Sequence, residues 1–542
     1  MQNHYIAFSF TTLLAACSAV PVPIVVKHID APLRCAATQE FDFNAERTFE
    51  DHIVRVDNDG QLIPQDLTGL NFIQRSRVEV LTQEESAKMV SHLFCEAESL
   101  ARTKAKGSKT DNIPVKLLIY VHGGLNSFGD TDTRIIEKKL PDQIINDADW
   151  HYPIFMSWPT APVPTWAEQT FLVREGRKVP AALGIATSPF MITADIFRTL
   201  GRYPATAYYQ LSNEIDQFAS AYWPNTLSFA WKTAQQTVCN EISSDSELLL
   251  NSQCQFNELR NSEEYNLQAN LSTYKVGKWE RTAGASLQIA AAPFRYTLFS
   301  LWHSGIAASA WDNMKRRTQN MIQPPYYIDS RRTQGIAGAM FFEELFKRID
   351  AQRELNTDLE YEITLVGHSM GAIVLNNILE SFQLEWVTHK ALKNIVYMAA
   401  ASNIDETLDA LAPVLNGASR IGKNVNFYNL TLNRVAEVSE KHLKGLVPLG
   451  SLLVSIDQHY DTPEHPLKRT MGSEVNILST IGIIDDRLES SKGDLVFKAF
   501  NRCPNSPPRM HGEFNDIPFW KPSTWQLPAQ TCSQRARNAS SD

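Results

Sequence analysis

The sequence predicts an α/β fold in which a mostly parallel sheet is flanked by helices. Segments with apolar residues at helical spacing separate several runs that are typical of buried strands. Those runs lie at 116–121, 152–158, 361–366, 394–400, 425–432 and 494–500. Because the order strand, helix, strand repeats, we expect consecutive strands to be parallel, with a functional site at their carboxyl ends.

Composition places the chain among folded proteins and argues against one class of partner. The 542 residues are 43% hydrophobic and 20% charged, which is typical of globular proteins, and the length allows more than one folded unit. A net charge of -9 is unfavourable for binding phosphate backbones, so nucleic acid is not an expected partner. The acidic turn at 57–60 lacks the remaining ligand positions of a calcium loop, so no metal site is expected.

The amino terminus is predicted to be a signal peptide. Residues 5–16 are mostly apolar but too few to span a bilayer as a helix, and no Lys or Arg precedes them. The run ends in Leu14-Ala15-Ala16-Cys17, which resembles the lipobox of bacterial lipoproteins. The resemblance implies a signal peptide over 1–17, lipidation at Cys17 and a lipid-anchored location in the bacterial cell envelope. The alternative is a plain signal peptide in which Cys17 is unmodified.

The cysteine content is consistent with export. Besides Cys17 the chain has six cysteines, and an even number in an exported protein predicts disulfides. They are Cys35, Cys95, Cys239, Cys254, Cys503 and Cys532. Proximity in sequence favours the pairs Cys239–Cys254 and Cys503–Cys532, but the sequence leaves the connectivity open, and buried free thiols are the alternative.

The strand pattern divides the chain into segments. Residues 18–50 hold several prolines and little periodicity, and we expect them to form a tether. Segments 51–160 and 334–542 carry the predicted strands and are expected to form one domain. The aromatic-rich segment 161–333 interrupts it and is expected to be a large, mainly helical insertion, or cap.

The sequence leaves two interpretations of the insertion open. It is either a cap with its own small core or a lid that contacts lipid, in which case the basic runs 315–317 and 331–332 would meet phosphate headgroups. Two apolar stretches, 179–200 and 287–311, are interrupted by proline and arginine, so neither is expected to span a membrane.

One turn in the predicted domain has the pattern of a catalytic nucleophile. The run 361–366 leads into Gly367-His368-Ser369-Met370-Gly371, after which apolar residues continue at helical spacing. In a nucleophile elbow, a strained strand-to-helix turn lifts the serine above the edge of the sheet, and the glycines avoid clashes with neighbouring backbone. We therefore predict Ser369 as the nucleophile; the alternative is an ordinary turn.

A second glycine-containing turn predicts an oxyanion hole. The strand at 116–121 runs into His122-Gly123-Gly124, and such loops present backbone N–H groups to a developing negative oxygen. The expected donors are the amides of Gly124 and Met370.

A serine nucleophile needs an adjacent base, for which histidine has a suitable pKa. In the order serine, acid, histidine, the candidates after Ser369 are His389, His442, His459, His465 and His511. We predict His511, because it lies in a short segment after the last predicted strand.

These motifs together resemble a known family. The segments 121–128, 155–159 and 399–405, the Gly-His-Ser-Met-Gly turn and His511 are similar to an uncharacterised bacterial branch of the α/β-hydrolase superfamily, often labelled an esterase or lipase-like domain of unknown function. The resemblance covers roughly 115–160 and 334–515. It implies an α/β-hydrolase fold and a serine hydrolase without a cofactor, and it implies no particular substrate.

The acid of the triad is the least determined residue. Related sequences carry an Asp after the strand that ends here at Leu432, whereas this chain has Asn433-Arg434. Asp405, after the preceding strand, is our first candidate and Glu437 the alternative; Asp405 could instead cap the helix that follows it.

The expected function is cleavage of a small-molecule or lipid ester through an acyl-enzyme, by a protein held at the membrane through its lipid anchor. The alternatives are a non-catalytic binding or scaffold protein of the cell envelope and an amidase, since a fold alone does not fix a function.

Overall fold

The central feature of the structure is a mostly parallel sheet flanked by helices. The computed structural model describes residues 41, 49–64, 80–106, 112–124, 128–174, 177–222, 303–322, 337–355, 357–433, 436–437, 440, 450–461, 463, 465–500, 503 and 506–526. Within these residues, eight strands form one sheet in the order β10-β9-β8-β7-β3-β4-β1-β2, in which only β1 and β2 pair antiparallel. The predicted α/β class with a mostly parallel sheet is confirmed.

The strands of this sheet include all those predicted from the apolar runs. They are β1 (Ile53–Val56), β2 (Leu62–Ile63), β3 (Ile113–Val121), β4 (Tyr152–Ser157), β7 (Leu359–His368), β8 (Leu392–Met398), β9 (Asn426–Leu432) and β10 (Leu495–Phe500). A separate hairpin pairs β5 (Val173–Arg174) with β6 (Arg177–Lys178). Strands β3, β4 and β7 are buried along most of their length, which explains why they appear in the sequence as apolar runs without alternation.

Helices cover the sheet and connect its strands. In chain order they are α1 (Gln83–Ala105), α2 (Phe128–Glu137), α3 (Leu140–Asn146), α4 (Pro162–Leu172), α5 (Ala181–Tyr222), α6 (Ala308–Asn320), α7 (Ala337–Glu354), α8 (Gly371–Ser381), α9 (Gln383–His389), α10 (Ile404–Arg420), α11 (Leu452–Ser455), α12 (Glu474–Leu488) and α13 (Pro522–Trp525). Helix α1 begins with a capping box between Thr82 and Glu85. Helix α10 begins at Ile404 and is capped by Asn403. Asp405 lies in its first turn and is therefore not the cap, which the sequence had left as an alternative.

The parallel register brings the carboxyl ends of the central strands together. Val121 of β3 lies opposite Gly367 of β7, and Leu432 of β9 lies opposite Phe500 of β10. The loops that follow these strands therefore meet at one edge of the sheet. This edge carries the residues that the sequence predicts to be functional.

Helix α5 directs charged side chains toward neighbouring parts of the protein and exposes several large apolar side chains. Three of its charged residues contact 303–322 and the turn at 456–460: Asp195 accepts from Ser309 Oγ at 2.7 Å, Arg198 pairs with Asp312 at 2.9 Å, and Arg202 Nη1 lies 3.4 Å from the carbonyl of Tyr460. The exposed residues include six large apolar side chains, those of Leu183, Phe190, Ile192, Ile196, Phe197 and Leu200, of which Phe190 is 76% exposed. Among the described residues, no helix is long and apolar enough to cross a membrane.

A buried ion cluster joins helices α4 and α6 to the end of strand β4. The guanidinium group of Arg317 donates to the carboxylate of Glu168, to Thr165 Oγ1 and to the carbonyl of Pro159. Arg316 lies 3.5 Å from the same carboxylate. Lys315 pairs with Asp461.

All three residues of the basic run 315–317 take part in these contacts. Its three cations are held by carboxylates of the same chain. The structure therefore gives them a different role from the headgroup contacts that the sequence allowed. The second run, 331–332, lies outside the described residues.

Cys95 and Cys503 are both disulfide-bonded. The other cysteines expected to pair lie outside the described residues, so the connectivity stays a prediction. The signal peptide, Cys17 and most of the tether also lie outside the described residues. Phe41, which the sequence placed in the tether, is instead buried in the core, and its N–H donates to Thr103 Oγ1 at 3.1 Å.

Candidate functional site

The turn after β7 has the geometry of a nucleophile elbow. Ser369 lies in the left-handed region, with φ 52°, which is costly for a residue with a side chain. Backbone hydrogen bonds hold it there: its N–H donates to the carbonyl of Met398, and its carbonyl accepts from Ala372 and Ala401. Helix α8 starts directly afterwards, so the serine stands between the strand end and the helix amino terminus.

The two glycines of the turn are required by close backbone contacts. A Cβ atom on Gly371 would lie 2.1 Å from the carbonyl oxygen of Val121, which is fixed by the β3–β7 ladder. A Cβ on Gly367 would lie 2.9 Å from Leu375 Cδ1 and 3.0 Å from the backbone nitrogen of Ala372. This is the steric reason that the sequence pattern implied.

The structure brings Ser369 and His511 into hydrogen-bond contact. His511 Nε2 lies 2.9 Å from Ser369 Oγ, although the two residues are far apart in sequence. His511 begins a short 3₁₀ turn, His511–Asp516, after the end of β10. Ser369 is 1% exposed and His511 6% exposed, so the pair is shielded from bulk water. This distance and burial suit general-base activation of a hydroxyl.

The loop after β3 packs directly on the elbow. His122 Nδ1 lies 2.6 Å from the carbonyl of Gly123, and His122 Nε2 accepts the backbone N–H of Trp158 at 3.0 Å. The imidazole is therefore neutral with its proton on Nδ1, and it turns the Gly123 carbonyl toward itself. Since C=O and N–H point in opposite directions across a trans peptide, the N–H of Gly124 points away from His122.

The glycines of this loop allow its close approach. A Cβ on Gly123 would lie 2.8 Å from Ser369 Cβ, and one on Gly124 would lie 2.7 Å from Met370 Sδ. Met370, the other predicted donor, is the N-cap residue of α8, where backbone N–H groups have no partner within the helix. Both predicted oxyanion donors thus flank Ser369.

The structure does not bring Asp405 to His511. Its carboxylate pairs with Lys468 at 2.9 Å on the protein surface, in the first turn of α10. An exposed carboxylate with a lysine partner has no contact through which to orient the histidine. We therefore do not retain Asp405 as the acid.

Glu437, the second candidate, lies in the expected segment after β9 but contacts other residues. Its carboxyl group accepts hydrogen bonds from Ser451 at 3.1 Å and Ser473 at 2.7 Å. Burial, with smaller contributions from the charges of Asp457 and Glu474, raises the pKa of Glu437 to about 8 against the opposing effect of the two serine hydroxyls. A carboxyl that is neutral at pH 7 and does not contact His511 is poorly suited to be the triad acid.

Among the described residues, the carboxylate found against the backbone N–H of His511 is that of Glu440, which the sequence analysis missed. Glu440 Oε2 accepts the backbone N–H of His511 at 2.9 Å, and the residue is 4% exposed. It lies in the segment after β9, where the sequence placed the alternative acid. A signal was present in the sequence, because Glu440 is a second acidic residue in that segment.

The described residues contain no cluster of His, Cys, Asp and Glu side chains that could hold a metal ion. No protein-family model, curated protein or solved structure that we compared with the chain matches it.

Proposed function

We propose that the chain is a serine hydrolase of the α/β-hydrolase fold that cleaves an ester through an acyl-enzyme intermediate. The observation that carries the proposal is the 2.9 Å contact between Ser369 Oγ and His511 Nε2 at the carboxyl edge of a parallel sheet. The strained backbone at Ser369 and the chain order serine, then acid, then histidine support it.

Each residue has a defined role in the proposed reaction. Ser369 Oγ attacks the ester carbonyl while His511 Nε2 takes its proton, and the amides of Gly124 and Met370 stabilise the oxyanion. His511 then returns the proton to the leaving alcohol. Water attacks the acyl-enzyme in the second half of the reaction, with His511 again as the base.

Glu440 is the acid in this proposal. Its Oε2 atom accepts the backbone N–H of His511 and so holds the residue that carries the base. In the proposal the same carboxylate supplies the negative charge that stabilises the imidazolium.

The ester class is proposed from the resemblance to esterases and lipases, and the location from the amino-terminal sequence. We propose a small-molecule or lipid ester as substrate and a lipid anchor at Cys17 that holds the protein in the bacterial cell envelope. Residue 17 lies outside the described residues, so this part depends on the Leu-Ala-Ala-Cys run alone.

The nucleophile is tested with a fluorophosphonate probe, which labels activated serines. We expect the wild-type protein to be labelled and Ser369→Ala to remain unlabelled with an unchanged thermal melt. Equal labelling of the two folded proteins would refute the assignment, and a wild-type protein that is never labelled would favour the non-catalytic alternative.

The acid is tested by comparing Glu440, which contacts the main chain of His511, with Asp405, which the sequence favoured. Glu440→Gln should lower kcat by about 10⁴-fold, as expected for loss of a triad acid, while Asp405→Asn should leave kcat near the wild-type value. If Asp405→Asn abolishes activity in a folded protein and Glu440→Gln does not, the assignment of the acid is wrong.

A further inference from the structure

His368, the residue before the nucleophile, holds the main chain of His511. The Nε2 atom of His368 lies 3.2 Å from the carbonyl oxygen of His511. A carbonyl oxygen only accepts hydrogen bonds, so Nε2 carries the proton and donates. The neighbours Ser369 and His368 therefore contact the two ends of the same histidine, the first its ring and the second its carbonyl.

The imidazole of His368 stays neutral across the working range of pH. The residue is 4% exposed, and burial lowers its pKa to about 3, with a smaller opposing contribution from the His511 carbonyl. Its Nδ1 atom is consequently a bare acceptor. This atom is buried, has no hydrogen-bond partner among the residues that the structure describes, and would lie 2.9 Å from a Cβ on Gly123.

Packing alone does not account for a histidine at this position. A buried acceptor without a partner costs about 1–3 kcal/mol, whereas a leucine would fill similar space without that cost. The feature that a leucine would lose is the Nε2–H donor to His511. The chemically informative part of His368 is therefore this donor.

We propose that His368 is a positioning residue that, through its Nε2–H donor, fixes His511 at the distance needed to take the proton of Ser369. The inference rests on the proposed serine hydrolase function. With Glu440 on the N–H of His511 and His368 on its carbonyl, the main chain of the base is held from both sides. Reacting groups that are misplaced by about 1 Å can lose about 10²-fold in rate, which sets the size of the expected effect.

The test compares two substitutions at 368 with a matched control. His368→Leu removes the donor, whereas His368→Gln places an amide N–H near the position of Nε2. His151→Leu is the control, because His151 is also a buried histidine with an unpartnered Nδ1 and a pKa lowered to about 4, but it precedes β4 at the opposite end of the strands. All three variants are first checked by thermal melts.

The readouts separate a positioning role from a structural one. We expect His368→Leu to lower kcat and the second-order rate of fluorophosphonate labelling by about 10²-fold with little change in KM. We expect His368→Gln to recover most of the rate and His151→Leu to keep the wild-type rate even if its melting temperature falls. Folded His368→Leu protein that reacts at the wild-type rate, or His368→Gln that is as slow as His368→Leu, would overturn the inference.

A measurement independent of catalysis keeps the inference testable if the proposed function fails. In protein with isotope-labelled histidine, the ring resonances of His511 should shift and broaden in His368→Leu but not in His151→Leu. Unchanged His511 resonances in His368→Leu would refute the positioning role, whereas absent labelling of wild-type protein refutes the proposed function alone.

Discussion

Glu437 should make the stability of the fold depend on pH, and Glu437→Gln should remove that dependence. The carboxyl group is fully buried between Ser451 and Ser473, and burial raises its pKa to about 8 from the ordinary 4.5. Between these values the folded state keeps the proton while the unfolded chain releases it. The free energy of unfolding therefore falls as pH rises from about 4.5 to 8 and is constant above 8.

The size of the effect follows from the two pKa values. They differ by about 3.5, and each pKa unit corresponds to about 1.4 kcal/mol, so the Glu437 contribution lost across the whole range is on the order of 5 kcal/mol. Glutamine is neutral in both states and has nearly the same shape. The stability difference between Glu437→Gln and wild type should therefore shift in favour of the variant by about 1.4 kcal/mol per pH unit between pH 5 and 8.

The assay is chemical unfolding of both proteins at a series of pH values from 5 to 9. The two stability curves should diverge up to about pH 8 and run parallel above it. Parallel curves over the whole range would show that Glu437 is ionised in the folded protein and that burial does not keep it neutral.

Three further predictions concern the elbow, helix α5 and the amino terminus. Gly371→Ala should lower stability in urea unfolding by about 3 kcal/mol and abolish probe labelling, because its Cβ would meet a backbone oxygen at 2.1 Å. The control is the exposed Gly482→Ala in α12, whose Cβ meets nothing within 4 Å and which should be neutral or stabilising by up to about 1 kcal/mol. Equal effects of the two substitutions would contradict the steric account. If the exposed face of α5 contacts lipid, short-ester hydrolysis should rise when phospholipid vesicles are added, and the double change of Phe190 and Phe197 to Ser should remove the rise, so a flat wild-type response would leave only the cap interpretation. Metabolic labelling with a fatty acid should mark the wild-type protein and not Cys17→Ser, and an unlabelled wild type in a bacterial host with the lipoprotein pathway would refute lipidation.

The parts of the fold that the sequence predicts well are those governed by local physics. The strand β7, the turn at Ser369 and the helix α8 each have a signature within a few residues: an apolar run, two glycines and apolar residues at helical spacing. His511 could be selected because chain order and the last strand limit the choice. These features need no knowledge of which loops meet.

The acid could not be predicted because it depends on the path of a loop. Asp405 and Glu437 are both close in sequence to strand ends, yet the first turns to Lys468 and the second to two serines. Glu440 reaches the main chain of His511 from a segment without periodic pattern. The contact of His368 is equally hidden, since nothing in the sequence distinguishes its ring from any other buried imidazole.

The cluster around Arg317 joins the predicted insertion, 161–333, to the sheet, although the two are separate segments of the chain. Helices α4 and α6 belong to the predicted insertion, yet Arg317 binds the carbonyl of Pro159 at the end of β4, and Thr318 accepts from Asn377 on α8 at 3.3 Å. These two helices therefore contact both the end of a strand of the sheet and the helix that follows Ser369. Excising 161–333 would remove these contacts, so a minimal domain made in that way is expected to lose its fold together with the contact between Ser369 and His511.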